Sequence, residues 1–94
     1  MVIHHLKTDP EVFLETQMGR KRFEVRYNDR NYQVGDQLVL HCTRYTGEEM
    51  KAGQPLEYVG KPVEVFITHI LHGPIYGLAQ GWVIMSIHPM CVWC

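Results

Sequence analysis

The segment Arg22-Phe23-Glu24-Val25-Arg26-Tyr27 decides the fold class, because charged and apolar side chains alternate along all six residues. Strict alternation is the period of a β-strand, whose successive side chains point to opposite faces of a sheet. Phe23, Val25 and Tyr27 fall on the apolar face, and Phe23 and Val25 are predicted to pack into a core. The charged face is predicted to point outward.

Further strands are predicted on both sides of this segment. They cover Val2–Leu6, Gln37–Arg44, Pro62–Leu71 and Trp82–Ile87, where apolar and β-branched residues concentrate. One helix is predicted between Asp9 and Met18, because Asp9-Pro10 is typical of a helix start and Gly19 of a helix end. Residues 45–60 are rich in glycine and are predicted to form a long loop or a flexible hairpin.

These elements predict a mainly β fold, namely a small barrel of about five strands with one short helix near the N-terminus. Closure into a barrel is favoured because it removes exposed strand edges. Residues 1–94 are predicted to form a single domain, with 89–94 as a flexible tail. The predicted core comprises Phe13, Leu14, Phe23, Val25, Leu38, Leu40, Val65 and Ile67.

The composition is that of an ordinary globular protein, with 46% hydrophobic and 20% charged residues among 94. A net charge of −1 argues against a protein built for bulk phosphate binding. The charge is uneven, however, because residues 20–30 contain five cations and two anions and carry +3, which leaves −4 for the rest. Such a local excess can hold one or two phosphates.

A cytoplasmic location is expected from two features of the sequence. The cysteine count of three is odd, and the first residues are too short and polar for a signal peptide. No contact with a membrane is expected either. The uncharged run after Glu64 is interrupted by histidine, glycine and proline before it reaches the length of a membrane span.

The residues Gly19-Arg20-Lys21-Arg22-Phe23-Glu24-Val25-Arg26 fit the pattern Gly-x-Lys-x-x-Glu-x-Arg. This pattern resembles the signature of the ASCH domains, a branch of the PUA-like superfamily proposed to bind RNA. The resemblance covers nearly the whole chain, including Val34-Gly35-Asp36, Tyr45-Thr46-Gly47 and the closing segment 77–87. It is greatest with an uncharacterised ASCH-related family found in phage and mobile elements. It implies a PUA-like barrel whose ligand is RNA or a nucleotide.

The same motif predicts the ligand site. Gly19 ends the helix, so that Lys21 is delivered at the helix–strand corner, while Glu24 and Arg26 share one strand face. A carboxylate there orients the cations, and the planar guanidinium suits phosphate. The predicted RNA-binding residues are Gly19, Lys21, Glu24, Arg26, Arg30 and Tyr76, the last as a loop aromatic able to stack on a base. Trp82 is interpreted as a packing anchor. The alternative is an ordinary surface Glu–Arg pair, worth less than ~1 kcal/mol.

Two other functions stay open. Some ASCH proteins are amidohydrolases that deacetylate acetylated cytidine, and the resemblance then implies catalytic roles for Lys21 and Glu24. Those enzymes have a threonine where this chain has Glu24, so binding is favoured over catalysis. A third interpretation is a protein-interaction domain that docks a partner through residues 45–60.

No cofactor and no metal site are predicted. His88, Cys91 and Cys94 supply three potential zinc ligands, whereas a structural zinc site needs four. His4 and His5 alternate across the first strand and face opposite sides, so they cannot easily bind one ion.

Overall fold

The structure, a computed structural model, describes residues 1–90. The chain forms β1 (Ile3–Thr8), α1 (Pro10–Gln17), β2 (Phe23–Tyr27), β3 (Gln37–Cys42), α2 (Gly47–Lys51), β4 (Val63–His72) and β5 (Trp82–Pro89). The prediction of a mainly β domain with five strands is confirmed. Each predicted strand is present, with ends displaced by a few residues.

The five strands form one sheet in the order β1-β3-β4-β5-β2. β1 runs parallel to β3, and the other neighbours are antiparallel. A bulge between Ile67 and His69 interrupts the β4–β5 ladder, and bulges bend a strand and increase its twist. The sheet curls into a half-barrel in which β1 and β2 are the two edges.

The core fills the concave side of this half-barrel. Leu38, Leu40 and Ile67 have no exposed surface, and Phe13 of α1 packs beside them. The core prediction is correct for Phe13, Leu38, Leu40, Val65 and Ile67. It is wrong for Leu14, which is half exposed because the short helix α1 turns only a narrow stripe towards the sheet.

The prediction for β2 is correct in its alternation and wrong in its facing. Glu24 is 2% exposed, whereas Phe23 and Val25 are 45% and 43% exposed. Within β2, Glu24 and in part Arg26 therefore point inward, and the apolar residues point outward. The physical reason is that two cations satisfy the buried carboxylate, so burial does not leave a lone charge.

Residues 45–60 contain the helix α2, which the glycine-rich composition did not suggest. Thr46 and Glu49 form a capping box: the Thr46 hydroxyl accepts from the Glu49 amide, and the Glu49 carboxylate accepts from the Thr46 amide. Neither of the two helices in residues 1–90 is long and apolar enough to cross a membrane.

The last strand runs further than the sequence suggested. β5 extends to Pro89, and the Met90 amide donates a hydrogen bond to the Glu64 carbonyl. The rest of the predicted tail, residues 91–94, lies outside the described residues.

Candidate functional site

A cleft of about 430 Å³ opens where the two edges of the sheet approach each other. It lies between the end of β1, the start of α1, and β2, with the first residue of β5 at one side. The lining residues are Lys7, Thr8, Asp9, Val12, Lys21, Glu24, Val25, Arg26, Tyr27 and Trp82.

The buried carboxylate of Glu24 is the centre of the cleft. One oxygen, Oε2, accepts from Lys21 Nζ at 2.5 Å. The other, Oε1, accepts from Arg26 Nε at 3.1 Å and from Arg26 Nη2 at 2.9 Å. Both oxygens of one carboxylate thus hold two cations in fixed positions, as the motif predicted.

Lys21 reaches this position because of the turn that precedes it. Gly19 has φ +78°, the left-handed conformation typical of a residue just after a helix. The amides of Arg20 and Lys21 both donate to the Glu15 carbonyl, which fixes the corner. Lys21 Nζ then donates to the Phe23 carbonyl and lies 4.8 Å from the centre of the Phe23 ring.

Arg26 also joins the two edges of the half-barrel. Its Nη2 donates to the Lys7 carbonyl at 3.1 Å and lies 3.5 Å from Thr8 Oγ1, both on β1. The edge strand of a sheet carries backbone groups without a partner strand. At the edge of β1, the Lys7 carbonyl receives its hydrogen bond from Arg26 of β2. Within residues 1–90, Arg26 Nη1 makes no hydrogen bond and can donate to a ligand.

Exposed aromatic rings form one wall of the cleft. Tyr27 and Trp82 are opposite one another in the β2–β5 ladder and meet edge to face, with ring centres 5.9 Å apart. They keep 55% and 40% of their surface exposed. Gly81 lies directly under the Tyr27 ring, because a Cβ at that position would come within 2.7 Å of Tyr27 Cε1. The wall is therefore positioned by the backbone.

The structure brings together three of the six predicted ligand-binding residues. Lys21, Glu24 and Arg26 line the cleft, whereas Gly19 only shapes the turn and Arg30 lies outside the lining. Tyr76 is also outside it, at the tip of the β4–β5 connection, 92% exposed.

Sequence reasoning missed the β1–α1 side of the cleft. Lys7 and Thr8 lay between the predicted strand and the predicted helix and were assigned to neither. Asp9 is the N-cap residue of α1, as predicted, but its carboxylate accepts from the Gly47 amide and not from an amide of the helix. Trp82, interpreted as a packing anchor, is in the aromatic wall. In the sequence, Gly81 directly before Trp82 was the signal for this wall, because a residue without a Cβ lets an aromatic ring approach closely.

In the chain up to Met90, no three side chains of histidine, cysteine, aspartate or glutamate surround a common metal position. Cys91 and Cys94, weighed above with His88, lie outside the described residues.

Comparison with known proteins gives the family but not a function. Residues 3–87 match a family described as a domain of unknown function, DUF3850. The chain is also 37% identical over 68 residues to an uncharacterized 12.9 kDa protein in the GpA 3′ region of Escherichia phage P2. The match covers 72% of this chain and 53% of the phage protein, so the chain spans about half of that relative's length. The family match extends over nearly the whole of the described fold, and the chain therefore belongs to the DUF3850 family.

Proposed function

We propose that this domain binds RNA or a nucleotide-like ligand in the cleft, with phosphate on Lys21 and Arg26 and a base on the aromatic wall. The observation that carries the proposal is the buried Glu24, which fixes two cations beside the exposed rings of Tyr27 and Trp82. The resemblance of the Gly19–Arg26 segment to the ASCH signature supports the same ligand class.

The charged side of the cleft suits a phosphate. Three cations and two carboxylates line it, which leaves a net charge of +1. Lysine has three donors, and two of those on Lys21 go to the protein, so one remains for a ligand. Arg26 keeps Nη1. The carboxylate holds both groups in place before the ligand arrives, which lowers the entropic cost of binding.

The aromatic side suits an unpaired base. Stacking on an aromatic ring is worth about 1–3 kcal/mol per base and depends little on which base is bound. Val12 and Val25 extend the apolar surface beside the two rings. The cleft volume of about 430 Å³ corresponds to a small ligand, which favours a single strand or a free nucleotide over a duplex.

The test is a set of binding titrations with labelled single-stranded RNA, single-stranded DNA and mononucleotides at two salt concentrations. Lys21→Ala, Arg26→Lys and Trp82→Ala are expected to weaken binding by about 1–3 kcal/mol each. Arg26→Lys is chosen because it keeps the charge while removing the planar fork. Arg44→Ala is the matched control, since Arg44 pairs with Glu57 on the exposed surface.

The salt dependence gives a second criterion. The slope of log affinity against log salt is expected to be shallow, on the order of −1 to −3, because so few cations line the cleft. Circular dichroism must confirm that each variant is folded at the assay temperature. If the three cleft variants bind every tested ligand as tightly as the parent, the motif is structural and the proposal fails.

A second candidate function, hydrolysis of a nucleoside amide such as acetylated cytidine, is favoured by one contact. Lys21 Nζ and Glu24 Oε2 lie 2.5 Å apart in the cleft. Glu24 would then serve as general base for the attacking water, and Lys21 would orient the carboxylate. Chromatographic detection of product separates the two functions: turnover that disappears with Lys21→Ala supports the enzyme, and affinity without turnover supports the binding module.

A further inference from the structure

Two histidines that are 36 positions apart in the sequence meet on the convex face of the sheet. His5 Nδ1 and His41 Nε2 lie 2.9 Å apart. The ring centres are 5.2 Å apart and the planes differ by 25°, so the rings lie nearly in one plane with the facing nitrogens between them. One nitrogen donates a hydrogen to the other in the metal-free protein.

The pair is carried by a rigid part of the fold. β1 and β3 are parallel neighbours in which His5 is opposite Val39 and Lys7 is opposite His41, so the two histidines are diagonal neighbours on one face. Tyr58 packs against the other side of the His41 ring, with centres 5.2 Å apart. The His41 ring therefore lies between Tyr58 and His5, and the His5 ring is on the exposed surface of the sheet.

The distance fits two ligands of one metal ion. With metal–nitrogen bonds of about 2.0–2.1 Å, two nitrogens at a right angle are separated by about 2.9 Å, and two nitrogens at the tetrahedral angle by about 3.3 Å. A right angle between neighbouring ligands is the geometry of square-planar or tetragonal sites, which nickel(II) and copper(II) prefer with nitrogen and oxygen ligands.

We propose that His5 and His41 form a surface site for a divalent late transition metal, with nickel(II) and copper(II) bound more tightly than zinc(II). The metal lies off the line that joins the two nitrogens, so both rings turn to direct their lone pairs to one point, and water completes the coordination. The metal takes the place of the hydrogen between the rings. It would also link β1, an edge strand, to β3, and the following residues of β1 line the cleft.

The linear spacing of the histidines concealed this site. Sequence reasoning compared His5 with His4, its neighbour, and correctly placed the two on opposite faces. Only the pairing of β1 with β3 brings His5 to His41. The proposal is independent of the ligand cleft, because neither histidine lines it.

The test is isothermal titration calorimetry with nickel chloride at about pH 7.5, where protons compete little for imidazole. The full chain carries Cys91 and Cys94, so all proteins are made with Cys91→Ser and Cys94→Ser, which removes thiolate ligands. His5→Gln and His41→Gln are the site variants. His72→Gln is the matched control, since His72 is an exposed histidine at the end of β4.

The expected result is one nickel ion per chain, with affinity reduced on the order of tenfold or more by either site variant, because a single imidazole loses the gain from joint binding. The control is expected to bind like the parent, and zinc chloride is expected to bind more weakly than nickel chloride. Absence of nickel binding would overturn the proposal. Equal binding by the site variants and the parent would overturn it as well.

Discussion

Replacing Glu24 by alanine is expected to remove a large part of the stability of this domain. The carboxylate is 2% exposed and accepts three hydrogen bonds from two cations. Removing one partner of a buried ion pair costs about 3–5 kcal/mol, since the remaining charge is left without compensation. We expect the lower end, about 3 kcal/mol, because Lys21 and Arg26 keep 17% and 26% exposure and can turn towards water.

This loss is large relative to the total free energy of unfolding. Globular proteins have about 0.05–0.15 kcal/mol of stability per residue, which for 94 residues gives roughly 5–14 kcal/mol. A change of about 3 kcal/mol lowers the melting temperature by roughly 12–24 °C in a domain of this size. Urea denaturation followed by circular dichroism measures the change in the free energy of unfolding.

Glu57→Ala provides the matched control, because Glu57 pairs with Arg44 while both side chains are about half exposed. Its removal is expected to cost less than about 1 kcal/mol. If Glu24→Ala costs no more than Glu57→Ala, then Glu24 faces solvent, and β2 is oriented as the alternation of its sequence suggested. The structural account of the cleft would then be wrong.

Three further predictions concern the core and acid stability. Leu40→Ala is expected to cost about 2–5 kcal/mol in urea denaturation, since Leu40 is fully buried; a change under about 0.5 kcal/mol would place it outside the core. Phe13→Ala is expected to cost about 3–5 kcal/mol and Leu14→Ala far less, because Phe13 is 6% and Leu14 50% exposed; equal costs would refute this orientation of α1. Burial disfavours the charged form of Asp36, but hydrogen bonds from the His4 ring and from two backbone amides outweigh it and lower the pKa of Asp36. That stabilisation is present above the ordinary aspartate pKa of about 4 and is lost as pH falls through the lower folded-state value. Asp36→Asn is therefore expected to be less stable than the parent at neutral pH and to lose less stability on acidification. Parallel curves of stability against pH for the two proteins would contradict this prediction.

Local patterns in the sequence predicted the elements better than their surroundings. The alternation of β2 and the signals at Asp9-Pro10 and Gly19 were enough to place a strand and a helix. They could not orient β2, because the rule that apolar residues face inward assumes that a charge has no buried partner. Here Glu24 has two such partners, and one of them, Arg26, lies on the same strand.

The lining of the cleft was predicted where its residues are close in sequence and missed where they are not. Lys21, Glu24 and Arg26 lie within six residues, so one motif contains them. Thr8 and Trp82 reach the same cleft only through pairings across the sheet, which no short segment encodes. The capping box of Thr46 and Glu49 was a readable signal for α2, hidden by the glycines around it.

The order of the strands has a consequence for how the protein is assembled during synthesis. β4 and β5 are adjacent in the sequence and can pair as soon as both have left the ribosome, whereas β2 waits for a partner that lies about sixty residues further on, with Phe23 opposite Ser86. The Lys21–Glu24–Arg26 cluster is therefore synthesised early, but the strand pairing that positions it forms late. A nascent chain that ends before Trp82 carries the whole motif without the ladder that positions it, and the cleft can form only when synthesis of the described fold is nearly complete.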